Sequence, residues 1–193
     1  MSGLEPKTLA SSGPVEIPVS RLVSKVTLSS VSRAFKLSQH QAMDFEVLSV
    51  FLTNVPNRYG FFQELQSDEL INEGESDMDA IIEASGELLY DDLGNLPIEQ
   101  DEMVDVGNFL YCYPNPIAAG AAPTYLVVEA ILEGKLCYYP VKLPPMESNK
   151  CYNVSLTVCR PGSSTPDVPV DTEEAVFKVD VQQWTNVPVS DTI

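Results

Sequence analysis

The sequence predicts an all-β protein of the sandwich class, and three observations lead to that prediction. From residue 108 onward, short segments rich in β-branched and aromatic residues alternate apolar with polar side chains. Pro, Gly, Asn and Ser bound these segments, as turn residues do. A two-residue turn at Glu133 and Gly134 joins two of the segments. Two packed layers of strands satisfy such a pattern.

The composition excludes several classes of protein. With 193 residues, 44% of them hydrophobic, the chain can bury a core as one domain or as one domain plus part of another. Its 28 acidic and 11 basic residues give a net charge of −17, which repels nucleic acid and anionic membranes. We find neither an apolar run long enough to span a membrane nor an export signal, so we expect a removed signal or a start partway through a longer chain.

The first half of the chain predicts a linker followed by strands. Residues 1–14 are polar and contain Gly and Pro, as in a linker or a broken-off end. The alternation that starts at Val15 changes phase at Arg21, which predicts a bulge or a change of strand. Residues 45–52 are apolar on both faces, which predicts a central strand, and turn residues follow at 53–60.

An acidic region follows, because no Lys or Arg lies between Tyr59 and Gly134. Within it, residues 78–89 carry apolar side chains at loosely helical spacing, interrupted by Gly86. This spacing leaves a short helix and an irregular segment equally open. The rest of the region is interpreted as a long acidic excursion between strands.

The turn at Glu133 and Gly134 predicts a hairpin of known register. Ala130 then pairs with Cys137, Val128 with Tyr139 and Glu129 with Tyr138. One face of the hairpin is apolar, and Cys137 points into the core.

Two more strands are predicted after the hairpin. In residues 151–159, Cys151 and Cys159 fall on the polar face roughly 26 Å apart, too far for a disulfide. With Cys137 on the inner face, reduced or buried thiols are the simpler interpretation. Residues 175–183 alternate so that Ala175, Phe177, Val179 and Val181 form one buried face, and Trp184 plugs the core at the end of the strand.

No residue set predicts catalysis. His40 is the single histidine, so any Ser-His-Asp or Cys-His site would depend on it, and we interpret it as a loop or surface residue. Adjacent carboxylates such as Asp91 and Asp92 point to opposite faces of a strand and are interpreted as solvated. Calcium at 75–79 or 91–95 stays open, although neither segment matches an EF-hand loop. We predict no enzyme, no cofactor and no metal site.

The tail after Trp184 has two interpretations. Val187, Val189 and Ile193 fall at period two, broken by Asp191, which suits either a frayed terminus or a strand donated to another subunit's sheet. Pro188 lacks an N–H group and would forfeit one backbone hydrogen bond of such a donor strand.

Six segments taken together resemble the fimbrillins of Bacteroidales, the subunits of type V pili. In chain order they are VPVSRLVSKVTLSSV, FEVLSVFLTNV, YCYPNP, LVVEAILEGKLCYYPVKL, NKCYNVSLTVCRPGS and VFKVDVQQW. The resemblance covers most of residues 15–184. It implies transthyretin-like Greek-key β-sandwiches, export as a lipoprotein, removal of an N-terminal strand and polymerisation by strand exchange. It also implies that the C-terminal segment, with Val187, Val189 and Ile193, is the donor strand.

The resemblance therefore leads to the following expectations. Residues 1–20 are a linker or the remnant of a fimbrillin N-terminal domain, and residues 21–193 are the C-terminal β-sandwich domain. The chain is a structural pilin of adhesive fimbriae at the outer membrane, with other pilin subunits as partners, an added host or bacterial surface ligand, and a lipid anchor only if an upstream lipobox exists. The alternative is a monomeric surface lipoprotein or tip adhesin that binds glycan or protein through residues 63–107, with or without calcium.

Overall fold

A computed structural model describes residues 20–60, 69–117, 122–169 and 175–185 of the chain. These ranges contain ten strands and two helices. The strands are β1 (Ser24–Arg33), β2 (Phe45–Thr53), β3 (Val55–Pro56), β4 (Leu70–Ile71), β5 (Tyr90–Pro97), β6 (Met103–Cys112), β7 (Tyr125–Leu132), β8 (Lys135–Lys142), β9 (Lys150–Val158) and β10 (Ala175–Gln183). The helices are α1 (Ser38–Gln41) and α2 (Met78–Leu89). No helix in the described ranges is both long and apolar enough to cross a membrane.

The strands form two four-stranded sheets that pack face to face. Sheet 1 has the order β10-β9-β1-β6, and sheet 2 has the order β5-β2-β7-β8. Neighbouring strands are antiparallel except β1 and β9, which are parallel. The predicted β-sandwich is thereby confirmed, while its Greek-key connection pattern stays a prediction.

A single apolar cluster fills the space between the sheets. Its fully buried members come from both layers and include Leu28, Phe35, Leu52, Tyr139, Tyr152 and Leu156. At β9, alternate residues from Tyr152 to Val158 are buried, as their period of two predicts. The predicted core face of β9 is therefore confirmed.

The hairpin of β7 and β8 has the predicted register, with Ala130 opposite Cys137 and Val128 opposite Tyr139. Glu133 and Gly134 both adopt positive φ angles, 49° and 75°. Two consecutive positive φ angles are the signature of a type I′ turn, whose twist matches that of the strands it joins. The local turn residues thus determined which side chains of this hairpin enter the core.

From residue 20 onward, the first half of the chain is also close to prediction, whereas the predicted linker at residues 1–14 lies outside the described residues. Strand β2 lies between β5 and β7 with most of its residues buried, so the predicted central strand is confirmed. Strand β1 begins at Ser24, after the phase change at Arg21, and its own register shift lies between Leu28 and Ser30. The bulge is therefore inside β1, several residues later than the sequence pattern suggested.

The acidic region is more ordered than the sequence predicted. Residues 78–89 form helix α2, which begins at Asp77, whose carboxylate accepts a hydrogen bond from Asp79 N at 3.1 Å, and is kinked at Gly86. The excursion assigned to the rest of the region was wrong, since β5 and the first half of β6 lie there. Both strands escaped notice because turn residues and carboxylates interrupt their apolar alternation.

The cysteines are free thiols, as the simpler interpretation held. Cys112, Cys137 and Cys159 are buried, and Cys151 is half-buried. The assignment of Cys159 to the polar face was wrong because β9 ends at Val158, so the alternation no longer applies at the next residue.

A second apolar cluster lies on the outer face of sheet 2, where Ile81 of α2 packs on Phe51, Val127 and Tyr138. A buried carboxylate lies beside it. Glu129 accepts hydrogen bonds from Ser49 Oγ at 2.6 Å and from Tyr138 Oη at 3.4 Å. These two donors satisfy the carboxylate without a cation.

We expect Tyr138 to make the fold sensitive to alkali. Burial, with a further contribution from the Glu129 carboxylate, raises the pKa of the Tyr138 phenol to about 12. In the unfolded chain the pKa of this phenol is near its ordinary value of about 10. The stability that the neutral, buried phenol contributes is therefore complete below pH 10 and is lost as the pH rises towards 12. Urea midpoints at pH 9, 10 and 11 should fall less steeply for Tyr138→Phe than for the wild type. Parallel curves for the two proteins would contradict the assignment.

Candidate strand-acceptor edge

Strand β10 forms one edge of sheet 1. It pairs with β9 along its whole length, from Ala175 opposite Val158 to Gln183 opposite Lys150. In the described parts of the chain, nothing pairs with its other side. An edge of this kind presents a row of backbone N–H and C=O groups on which another strand can add.

The inner face of β10 is incompletely covered. Phe177 and Val181 lie opposite the buried residues Leu156 and Tyr152, yet they are 38% and 46% exposed. Val179 between them is half-buried, and only Ala175 is buried. The prediction of a buried face here was therefore wrong for most of its length, because β10 is the edge strand of its sheet and, of its inner residues, only Ala175 and Val179 pack against the core cluster.

The outer face of β10 carries one apolar side chain followed by three polar or charged ones. Val176 is 55% exposed, and Lys178, Asp180 and Gln182 follow it. Gln182 Nε2 donates to Asp180 Oδ2 at 2.6 Å. The charged side chains keep the outer face hydrated. The apolar residues left to be buried by another segment are therefore those of the inner face.

The end of β10 is held by a stack of aromatic and cationic groups. Trp184 N donates to Asn149 O at 3.0 Å, and the indole stacks on the Tyr111 ring with centroids 5.6 Å apart and planes 1° apart. The Arg21 guanidinium lies 4.3 Å from the centroid of the indole. Trp184 is therefore half-buried on the outer face of sheet 1, and its prediction as a core plug was wrong.

The last described strand consequently ends at a defined place on the sandwich. Trp184 is tied to β6 through Tyr111 and to the segment before β1 through Arg21. The donor-strand candidates Val187, Val189 and Ile193 follow almost directly, but they lie outside the described residues. The part of the site that the structure describes is the acceptor edge.

The structure brings a histidine and a cysteine, the residue types considered for a Cys-His site, to one cavity. His40 and Cys137 both line a cavity of about 350 Å³. Burial raises the pKa of the Cys137 thiol, and its sulfur contacts Tyr139 Oη at 3.9 Å instead of the imidazole. A thiolate nucleophile is disfavoured by that environment.

The acidic segments are accounted for by local hydrogen bonds. Asp91 accepts from Asn108 Nδ2 at 2.7 Å, Asp92 accepts from the backbone of Gly94, and Glu75 accepts from the backbone of Ser76 and Asp77. Among the residues described, no three His, Cys, Asp or Glu side chains are grouped closely enough to hold a metal ion.

Sequence reasoning missed the two features that distinguish this end of the molecule, the open inner face of β10 and the stack around Trp184. Period-two alternation shows which residues of a strand share a face. It carries no signal of whether a second layer extends far enough to cover that face.

Known proteins share this fold without close sequence relationship. No protein-family model matches the chain, and no curated protein matches it. A candidate cell adhesion protein from Parabacteroides distasonis matches with a TM-score of 0.60 and 14% identity over 89% of this chain, and one from Bacteroides eggerthii with 0.59 and 18% over 86%. A fimbrilin from Porphyromonas gingivalis matches with 0.52 and 14% over 88%. This chain spans 54%, 56% and 60% of those three structures, respectively.

Proposed function

We propose that this chain is a structural subunit of adhesive surface fimbriae and carries no active site. The fold that it shares with a fimbrilin and with candidate cell adhesion proteins supports the proposal. The observation that carries it furthest is the open inner face of β10, where Phe177 and Val181 are exposed on a core-facing side. In a free monomer this edge leaves apolar side chains exposed to water. A subunit that receives a strand there buries them and so completes its core.

The mechanism we propose is strand addition between copies. The tail of one subunit pairs with the outer edge of β10 in the next, and backbone hydrogen bonds supply affinity along the strand. Val187, Val189 and Ile193 of the tail share one face with Asp191, and the three apolar residues would cover Phe177 and Val181. Pro188 forfeits one hydrogen bond of the pairing.

The wider biology is part of the same proposal. Residues 21–193 would be the C-terminal β-sandwich domain of a fimbrial subunit, and residues 1–20 would connect it to, or remain from, a preceding domain. The subunit would act at the cell surface, with other pilin subunits as partners and with outer-membrane attachment through a lipid anchor where a lipobox precedes the chain.

Mutation of the tail tests the donor half of this mechanism. We expect Val187→Asp/Val189→Asp, like deletion of residues 187–193, to abolish a detergent-resistant ladder of oligomers on unheated gels, because a carboxylate cannot be buried against Phe177. Ser190→Asp/Thr192→Asp is the matched control, since it adds the same two charges in the same tail on the opposite face of an extended strand. A ladder that survives the deletion would overturn strand donation and favour the monomeric adhesin.

A further inference from the structure

The outer face of sheet 1 forms a regular grid of side chains. Helix α2 packs on the outer face of sheet 2, and its C-terminal half shares a cavity with Tyr111 at one end of this grid. The strand registers place outward residues in rows that cross β6, β1, β9 and β10. The middle row is Phe109, Thr27, Asn153 and Asp180, flanked by Tyr111, Lys25, Cys151 and Gln182 on one side and by Asp105, Ser30, Ser155 and Lys178 on the other.

An aromatic wall closes the β6 side of this grid. The Phe109 ring meets the Tyr111 ring at 5.3 Å and 62°, and Tyr111 in turn stacks on Trp184. Tyr111 and Trp184 are half-buried and fixed by their neighbours, while Phe109 remains 46% exposed. A large aromatic ring held rigidly at a surface offers apolar contact area at little entropic cost.

Polar side chains next to the wall are not engaged. The side chains of Thr27, Asn153 and Ser155 make no hydrogen bond within the described residues. A hydroxyl both donates and accepts, and an amide offers two donors and an acceptor, so the three groups together can bind several hydroxyls of a ligand. Thr27 and Asn153 lie on adjacent strands, about 4.8 Å apart in the row direction, and Ser155 follows Asn153 on the same face of β9.

The charge of this face differs from that of the whole chain. Lys25 Nζ lies 4.1 Å from the centroid of the Phe109 ring, and neither Lys25 nor Lys178 forms an ion pair in the ranges the structure describes. Asp105 and Asp180 balance the two lysines, whereas the chain as a whole carries −17. An anionic ligand that is repelled elsewhere therefore meets an ammonium group that lies over an exposed aromatic ring and has no carboxylate partner among the described residues.

From this combination we propose that the outer face of sheet 1 binds an acidic polysaccharide. The apolar face of a pyranose ring lies against Phe109, its hydroxyls bond to Thr27 and Asn153, and a sugar carboxylate pairs with Lys25. Convergent apolar and polar groups of this kind are what small-molecule sites use for contact and orientation. The inference deepens the adhesive part of the proposed function by assigning a ligand class.

The test measures binding of the full-length protein to hyaluronan and alginate oligosaccharides, both rich in uronic acid, by isothermal calorimetry. Phe109→Ala should weaken binding about tenfold, the equivalent of about 1.4 kcal/mol, and Lys25→Gln should weaken it while reducing its salt dependence. Met103→Ala is the matched control, because Met103 is an exposed apolar residue on the same strand and the same face but outside the aromatic wall. Unchanged melting temperatures would show that the variants are folded.

Three results would overturn the proposal. They are the absence of binding to either acidic oligosaccharide at about 1 mM, equal binding of neutral cellohexaose or of poly-L-glutamate, and equal effects of Phe109→Ala and Met103→Ala. The oligomer ladder is recorded for the same variants. Glycan binding without a ladder would overturn strand addition alone, and a ladder without glycan binding would overturn this inference alone.

Discussion

Replacing Phe177 with aspartate is expected to abolish uptake of a strand on β10 while the subunit itself still folds. Phe177 is 38% exposed on the inner face, so in the free subunit the new carboxylate retains part of its hydration. Once a strand covers that face, the carboxylate has to be desolvated among apolar side chains, at a cost of roughly several kcal/mol. Because each 1.4 kcal/mol changes an equilibrium about tenfold, the oligomer ladder should disappear.

Val176→Asp is the matched control for this experiment. It places the same charge on the adjacent residue of the same strand, but on the outer face, where Val176 is 55% exposed. We expect Val176→Asp to assemble like the wild type. Identical ladders for Phe177→Asp and the wild type would exclude the inner face of β10 as the acceptor.

Mixing experiments separate the acceptor from the donor. A Phe177→Asp subunit keeps an intact tail, so it should still donate its strand to a wild-type subunit and then end the chain. Added in increasing amounts to wild-type protein, it should shorten the ladder progressively. A tail-deleted subunit keeps an intact β10 and should end chains at their opposite end, so the two variants together should form heterodimers and no longer species.

Replacing Arg33 with alanine is expected to cause the largest loss of stability in the described part of the chain. The buried guanidinium donates to four backbone carbonyls, those of Ile98 at 3.0 Å, His40 at 3.1 Å, Gln41 at 3.1 Å and Met43 at 2.5 Å. It also lies 4.9 Å from the centroid of the Phe35 ring. Arg33 therefore joins the end of β1 to the α1 segment and to the loop after β5.

The expected loss for Arg33→Ala is about 3–5 kcal/mol in the free energy of unfolding, measured by urea denaturation. Each acceptor left buried without a donor costs about 1–3 kcal/mol, and partial hydration of the vacated space lowers the sum. Arg33→Met keeps most of the volume and removes the donors, so a similar loss in both variants would assign the effect to the hydrogen bonds. Lys36→Ala, at an exposed residue nearby, should change stability by less than about 0.5 kcal/mol.

A loss below about 1 kcal/mol for Arg33→Ala would contradict this account. It would mean that packing alone holds the α1 segment and the loop after β5. The four carbonyls that Arg33 contacts would then be hydrogen-bonded to water in the variant. A loss in Arg33→Ala that Arg33→Met restores would assign the stability to side-chain volume.

The period-two pattern and the turn residues predicted most of the long strands and one register from the sequence alone, but not β5 or the first half of β6. The hairpin at Glu133 and Gly134 and the core face of β9 were both predicted correctly. These features are local, because a turn of two residues sets the pairing of its own strands and alternation sets which side chains share a face. Charge composition and the scarcity of candidate nucleophiles likewise pointed away from nucleic acid and from catalysis.

The tertiary structure alone decided which apolar faces are covered. Phe177 and Val181 alternate as regularly as the buried residues of β9, yet they remain exposed because β10 is at the edge of its sheet. Trp184, which follows an alternating strand, stacks outward on Tyr111 because Arg21 and β6 meet it there. Burial depends on what lies opposite a residue, and that neighbour comes from a distant part of the chain, or from another chain, so it leaves no mark on the local pattern.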